Sequence, residues 1–594
     1  MRRPGAELAI AVAAAAVGAA ALLGMVAASG FDARSSVAPG IGPPWAAAML
    51  AIAVGAHLAQ RRPGHGRLLV AALAGVGAAV AMVPLMAGLH GTDQPPFSIA
   101  HGDMLFRTEY VTRFASTWHL DDYTFRGLHA FYPPAWFWAA GRTAALLGVT
   151  PWKIVGPFEI ATIGVALLVA YGLWRVALRP AGALSAAIGS LLVLPAQAGP
   201  LRPPLQFTTQ GWYSSYSCFV AVTGIAWVAA MLHTVRRPAP RGRLAVLALA
   251  GAVLALTYYL LFVLLALVLV ALAAGARPGR RDRMLRLGAV LGGVALLTAV
   301  FWVPLLFAIL GGAASQGHFV APAFLRVSVG IGRPVALAVL AAVALGALVM
   351  TLRVSLASRV VAGLLAGAVA YQLLSVLTLV LFHDQLQPHR AVTLLWAAYG
   401  AAVPVAYEAL RRRGPVALVV VALALPAAFA LGAAQGSDLA SGPLARAAHV
   451  QPDVAGADAI SRFIAQTMGK GPDGLTIVSG NRLLLATHPY FGFLPLRARY
   501  AHPKAKVPER IAALRVAAAC RDAACATGAL TATGFGPVDA LVLGRTPAGY
   551  RVRTDEDGFP APRPVTITFR PGLFDPGVWA RRDFGGYVVL VRRG

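Results

Sequence analysis

Apolar stretches close to twenty residues long recur through most of this chain, and they leave few folds open. They are Leu8–Ala28, Ala46–Gln60, Leu68–Leu89, Val155–Leu178, Ala181–Ala198, Tyr213–Leu232, Leu287–Leu310, Pro334–Leu352, Val360–Leu381, Ala391–Leu410 and Pro415–Ala434. A helix needs about 20 such residues to cross roughly 30 Å of hydrocarbon. Lipid offers no partner to a backbone amide, so each stretch must satisfy its own hydrogen bonds as a helix. Charged residues are 12% of the 594 positions, about half of what a soluble chain carries. The expected class is a polytopic α-helical membrane protein.

The run Leu244–Ala274 is too long for one crossing, and arginines flank both of its ends. Arginine on the same face at both ends requires an even number of crossings, so the run is expected to fold back near Thr257-Tyr258-Tyr259. That makes about 13 spans. The clusters Arg61/Arg62/Arg67, Arg175/Arg179, Arg236/Arg237/Arg241/Arg243, Arg277/Arg280/Arg281/Arg283 and Arg411/Arg412/Arg413 then share one face. The positive-inside rule makes that face cytoplasmic, in a multi-pass protein of the plasma membrane. The first stretch follows Arg2 and Arg3; a cleaved signal peptide is the rival reading. No small-residue cleavage site follows it, so it is read as a retained helix with the amino terminus in the cytoplasm. The net charge of +28 invites a nucleic-acid partner, but arginines lodged between apolar blocks are where topology places them. No nucleic acid is expected.

The opposite face receives Gly91–Lys153, Gly199–Trp212, Gly311–Arg333, His383–Arg390 and everything after Ala434. In the first of these loops GDMLFRTEYVTRFASTWHL sets Phe106, Tyr110 and Phe114 at helical spacing. The stripe is expected to form a helix lying flat on the membrane surface. FYPPAWFWAAGRTAALLG follows, where Pro133-Pro134 suits the start of a second interfacial helix. The expected domains are 1–434, a transmembrane domain that includes this loop, and 435–594, an extracytoplasmic α/β domain. In the latter LTIVSG, VDALVLG, PVTITF and YVVLVRR read as strands, with helices near Asp458–Met468 and Pro508–Cys520. Cys520 and Cys525 are close enough to pair on an oxidising face, with free thiols the alternative, while Cys218 lies within a span and reads as packing.

Ionisable groups beside a membrane are costly, which makes them the main evidence for a site. Asp103, Arg107 and Glu109 stand within seven positions, and the first two share a helix face. One reading is a solvated salt bridge at a helix start. The other is a carboxylate base beside a guanidinium able to grip a phosphate. Asp32, Asp93, Asp121 and Asp122 are further outer carboxylates, of which Asp32 is a candidate and the others read as turn residues. The loop HDQLQPHR crowds Gln387, His389 and Arg390 between two spans. Tyr258 and Tyr259 at the fold-back are either interface aromatics or rings on which a sugar stacks. There is no Walker motif, no GxSxG, and no dedicated cage for a divalent metal, so no cofactor is expected.

At GDMLFRTEYVTR followed by FYPPAWFW, and again at HPYFGFLPLRARYAHPKAKVPER, the chain resembles the actinobacterial galactan 5-O-arabinofuranosyltransferase A family. The likeness runs from the first span to FGGYVVLVRR. It departs at Met104, where a polar residue, commonly Gln, would be expected. The resemblance implies a GT-C-like membrane fold, decaprenyl-phosphoryl-arabinofuranose as donor and cell-wall galactan as acceptor. It implies inverting transfer of arabinofuranose to a galactofuranose 5-hydroxyl, priming arabinan. Asp103 matches the family's outer-loop acid and is expected to be the base. Arg107, with His389 or Arg390, would neutralise the departing lipid phosphate, and Glu109 would orient Arg107 or the acceptor. Asp32, Arg113, Tyr132, Trp136, Tyr258, Tyr259 and Gln387 complete the expected binding residues, Tyr132 and Trp136 as a wall between lipid and sugar. The prenyl chain is expected to lie in a groove among the spans, with membrane lipid around it. The competing functions are an arabinofuranosyltransferase that extends or branches arabinan, and a lipid-linked sugar transporter.

Overall fold

The computed structural model describes residues 4–28, 38–89, 103–194, 214–275, 279–310, 327, 335–382, 386, 388–441, 453–556 and 563–593. Asp32 and Gln387 lie outside the described residues, as do Gly199–Trp212 and the side chain of His389. The helices are α1 Pro4–Ala28, α2 Gly42–Ala59, α3 Gly66–Leu89, α4 Asp103–Ser116, α5 Ala135–Leu147, α6 Pro151–Trp174, α7 Pro180–Leu192 and α8 Ser215–Val235. They continue with α9 Arg241–Thr257, α10 Tyr259–Ala274, α11 Arg280–Leu310, α12 Val335–Thr351, α13 Leu356–Phe382, α14 His389–Leu410 and α15 Gly414–Ser441. Contacts divide the chain into two compact units, one of Met1–Gly91, Pro157–Ala299 and Ala321–Ala447, the other of Thr92–Gly156, Val300–Val320 and Ala448–Gly594.

The first unit is a bundle of apolar helices. Among the described residues eight helices are long and apolar enough to cross a membrane, and α7, α10 and α12 are shorter apolar helices. The protein is thus a multi-pass membrane protein. Helices approach closely where glycines face one another: a Cβ on Gly189 would stand 2.3 Å from the Gly400 carbonyl oxygen, and one on Gly400 would stand 2.0 Å from that of Gly189. Small residues of this kind let α7 and α14 touch along their backbones, the packing available where no hydrophobic force drives helices together.

The long run folds back where the charge pattern requires. Tyr258 leaves helical geometry at φ −157°. On α8, the Trp227 indole donates to the Leu247 carbonyl at 2.9 Å while its ring meets Phe262 at 5.5 Å. Leu247 and Phe262 are far apart on a continuous helix, at about 1.5 Å per residue, so only a chain that turns at Tyr258 brings both to one tryptophan. The arginine-bearing ends also gather. Arg175 pairs with Glu7 at 3.0 Å, and the Ala181 amide donates to the Gln60 side chain at 2.7 Å. Those contacts bring the start of α1, the end of α6, the end of α2 and the start of α7 to one end of the bundle. Arg283 and Arg286 likewise reach the carbonyls of Ala273 and Val235 from the start of α11.

The second unit joins the loop helices α4 and α5 to the carboxy-terminal segment. Its sheet has β1 Thr476–Ser479, β2 Phe491–Gly492, β3 Ala540–Thr546, β4 Gly549–Asp555, β5 Pro564–Phe569, β6 Trp579–Phe584 and β7 Tyr587–Arg592. The order β2-β1-β3-β4-β5 is extended by β7, which pairs with both β3 and β6; β1 runs parallel to β2 and β3, and the remaining pairs are antiparallel. Side chains alternate across a strand, and here both faces are covered. Val478, Leu541, Leu543, Val588 and Leu590 pack with Ile511, Leu514 and Leu530 on one side. Ile477, Ala540, Val542, Val589 and Val591 pack with Ile460, Ile464 and Leu484 on the other, where Leu105 of α4 joins them. The four strands and two helices expected from the sequence are present; β2, β4, β6 and the helices Arg482–Thr487 and Ala523–Thr531 are additional. Cys520 and Cys525 form a disulfide, and Cys218 is buried in α8.

Candidate active site

α4 is the centre of the second unit, and the interfacial placement expected for it does not hold. Every residue from Met104 to Phe114 is buried. A helix enclosed on all sides cannot lie on a bilayer surface. Its aromatic stripe instead fills a ring cluster: Phe106 meets Tyr132 at 5.3 Å and Tyr500 at 4.7 Å, and Tyr110 meets Phe137 at 4.9 Å and Tyr123 at 5.0 Å. Its polar residues reach the carboxy-terminal segment. Thr112 donates to the Ala486 carbonyl and Arg113 to the Tyr490 carbonyl, both at 2.7 Å.

Asp103 opens α4, where the exposed amides of a helix start favour a negative charge. Its side chain keeps 22% of its surface, against 2% for Arg107, whose Nη2 lies 3.6 Å from Asp103 Oδ2. The Tyr500 hydroxyl donates to the other carboxylate oxygen. Arg107 also donates to Met104 Sδ at 3.2 Å, so the departure at Met104 has a role beside the pair. Asp103 is therefore a carboxylate held at both oxygens and still open to solvent. A group so placed can accept a proton from a hydroxyl brought to it, with a fixed cation alongside for an anionic leaving group.

Glu109, expected to orient Arg107 or the acceptor, makes its hydrogen bond away from that pair. Six positions after Asp103 it points elsewhere on the helix, and its Oε1 accepts from Thr124 Oγ1 at 2.8 Å. Full burial raises its carboxyl well above the ordinary range, with the neighbouring Asp122 adding to the effect. Asp122 does cap a turn, accepting from the amides of Thr124 at 3.0 Å and Phe125 at 2.7 Å. Burial nevertheless pushes it up to about 7, against those two hydrogen bonds and the charges of Arg113 and Arg510. Arg113 lies 3.7 Å above the Phe491 ring and is lowered to about 10 by burial. These four residues form an internal polar cluster, of which the sequence reading singled out Glu109 and Arg113, took Asp122 for a turn residue and did not name Arg510.

Tyr132 and Trp136 belong to the ring cluster, Trp136 only 5% exposed and edge-on to Phe137. His502, unremarked in the sequence, meets Phe131 at 5.2 Å and is lowered by burial to about 4, which keeps it neutral at ordinary pH. Within the first unit, Arg390 stands 5.7 Å from the Tyr258 ring, and Tyr258 packs against Tyr216; Tyr259 begins α10. The helix bundle thus brings Tyr258 and Arg390 together, while Asp103 and Arg107 are brought together in the other unit.

The chain matches the family models described as arabinofuranosyltransferase N terminal over residues 7–413 and arabinofuranosyltransferase A C terminal over residues 435–592. A galactan 5-O-arabinofuranosyltransferase of Mycolicibacterium smegmatis is 28% identical over 540 residues, covering 83% of this chain and 82% of that one. Its namesake from Mycobacterium tuberculosis is 27% identical over 537 residues, covering 83% and 80%. Among solved structures, apo ArnT from Cupriavidus metallidurans superposes with a TM-score of 0.50 at 18% identity, over 84% of this chain and 98% of that one, a likeness of fold. With both halves matched and a GT-C-like architecture in place, this chain belongs to the arabinofuranosyltransferase A family.

Proposed function

We propose that this protein transfers arabinofuranose, with inversion, from decaprenyl-phosphoryl-arabinofuranose to the 5-hydroxyl of galactofuranose in cell-wall galactan. The observation that carries the reading is the Asp103 carboxylate, partly open, braced by Arg107 and Tyr500 in a family of arabinofuranosyltransferases. Asp103 takes the proton of the acceptor hydroxyl as that oxygen attacks the anomeric carbon. The bond from that carbon to the phosphate oxygen breaks, and the polyprenyl phosphate leaves with its charge met by Arg107. The donor is already activated, so no nucleotide is needed. The acceptor follows the names of the relatives, and a lipid-linked donor suits a carboxylate site carried on a membrane protein. The arginine clusters support an amino terminus in the cytoplasm and a carboxy-terminal domain outside. Asp32, Tyr258, Tyr259, Gln387, His389 and Arg390 remain candidates for substrate binding.

Purified protein given a synthetic polyprenyl-phosphoryl-arabinofuranose and a galactan oligomer should form a new arabinosyl linkage without energy input. Asp103→Asn should abolish transfer while membrane insertion and thermal stability stay those of the parent; near-parental turnover in that variant sinks the assignment. Preference for an arabinan oligomer over galactan would move the protein to arabinan extension.

A further inference from the structure

Asp103 lies at the start of the loop helix, and one of its two oxygens is held by a residue 397 positions away. Tyr500 sits at the end of a single 3-10 turn, Ala498–Tyr500, in the carboxy-terminal segment. Three contacts fix it there. Its hydroxyl donates to Asp103 Oδ1, its ring lies 4.7 Å from that of Phe106, and its carbonyl accepts from the Tyr123 hydroxyl. The flanking chain is tied to the same loop, since the Gly492 amide donates to the Thr124 carbonyl at 2.7 Å. Arg107 Nη2 lies 3.6 Å from the other oxygen, Oδ2.

From this arrangement we infer that Tyr500 is a positioning residue for the transfer reaction, through which the carboxy-terminal domain sets the orientation and basicity of Asp103. The inference rests on Asp103 acting as the base. A carboxylate rotates freely about its last bond unless both oxygens are engaged. With Arg107 on one and Tyr500 on the other, the plane of the carboxylate is set, and the lone pairs left over point away from both. A hydroxyl donor favours the ionised carboxylate, so Asp103 stays charged to lower pH than it would without Tyr500. The cost is some basicity; the return is a base already ionised and aimed when the acceptor arrives. The carboxy-terminal domain is therefore part of the catalytic apparatus, in addition to any hold it has on the polymer.

Tyr500→Phe removes only the hydroxyl and keeps the ring against Phe106. The measurement is the pH profile of kcat/KM and of kcat for the full-length protein in detergent or nanodiscs, with donor KM recorded alongside. The acidic limb should move up by about one pH unit, as a tenfold change in the ionisation constant requires. The plateau kcat should fall by about tenfold, with donor KM unchanged. Phe493→Leu, a core change in the same segment, should lower thermal stability and leave the limb in place. An unmoved limb in active Tyr500→Phe overturns the inference, as does an equal shift in Phe493→Leu. If Tyr500→Phe loses its fold, a ring-fluorinated tyrosine incorporated at position 500 keeps the shape and donates more strongly, so the limb should move down, and an unmoved limb overturns the inference. Full activity in Asp103→Asn would overturn the reading of Asp103 as the base, and this inference with it; loss in Asp103→Asn with an unmoved limb in Tyr500→Phe would overturn the inference alone.

Discussion

The Arg113 guanidinium lies 3.7 Å above the ring of Phe491 and, one residue earlier in the strand approach, donates to the Tyr490 carbonyl at 2.7 Å. One side chain of the loop helix thereby grips the carboxy-terminal domain by a ring face and a backbone acceptor, 2% exposed and beside two buried carboxyls.

Removing that grip should be expensive. Arg113→Ala leaves Glu109 and Asp122 buried with less opposing charge, and opens a void over Phe491. Breaking a buried ionic cluster in this way costs about 3–5 kcal/mol. A strong fall in the thermal unfolding temperature of the full chain is expected, with Arg113→Lys intermediate because lysine lacks the planar fork.

Asp122 makes stability depend on pH, with a definite sign. Its carboxyl is raised from 3.8 to about 7 by burial, so the folded protein holds a proton that the unfolded chain releases earlier. Stability from this group is complete below the unfolded value and is lost as pH rises through about 7. Asp122→Asn keeps an acceptor for the Thr124 and Phe125 amides and cannot ionise. Unfolding temperatures measured across that window should fall less with rising pH in the variant than in the parent, the two converging at the acid end.

Arg107 should separate binding from folding. Arg107→Lys retains the charge beside Asp103 but loses the forked donor set suited to a phosphate. Donor KM or kcat/KM should worsen by roughly tenfold, equivalent to about 1.4 kcal/mol of lost hydrogen bonding. Steady-state kinetics with varied donor at saturating acceptor would measure it; unchanged constants would remove Arg107 from the donor site.

Gly141 lets α5 lie against α4. A Cβ there would stand 2.7 Å from the Phe114 carbonyl carbon and 2.7 Å from the Val111 carbonyl oxygen, both backbone atoms that cannot swing aside. Gly141→Ala should therefore push the helices apart, costing about 1–3 kcal/mol. Because α4 carries Asp103, kcat should drop together with thermal stability.

Much of the membrane half was legible in the sequence because lipid leaves the chain so little choice. An apolar run must become a helix, and arginine at both ends of Leu244–Ala274 demanded a fold-back that Tyr258 supplies. The pair Asp103 and Arg107 was legible for a similar local reason: four positions on a helix put two side chains on one face. Other features depended on partners hundreds of residues away. The stripe Phe106, Tyr110 and Phe114 looks the same whether it meets lipid or the rings of Tyr123, Tyr132, Phe137 and Tyr500, and only the packed unit decided for the rings. Asp122 carries a turn signature and does cap the turn, but its burial beside Arg113 and Arg510 comes from segments that its neighbours do not name. By itself, then, the sequence determined a membrane bundle, the fold-back within it and a candidate carboxylate, since those follow from local composition and helical spacing. The tertiary structure alone decided that Tyr500 meets Asp103, because a hydrogen bond across 397 positions is a property of packing and not of pattern.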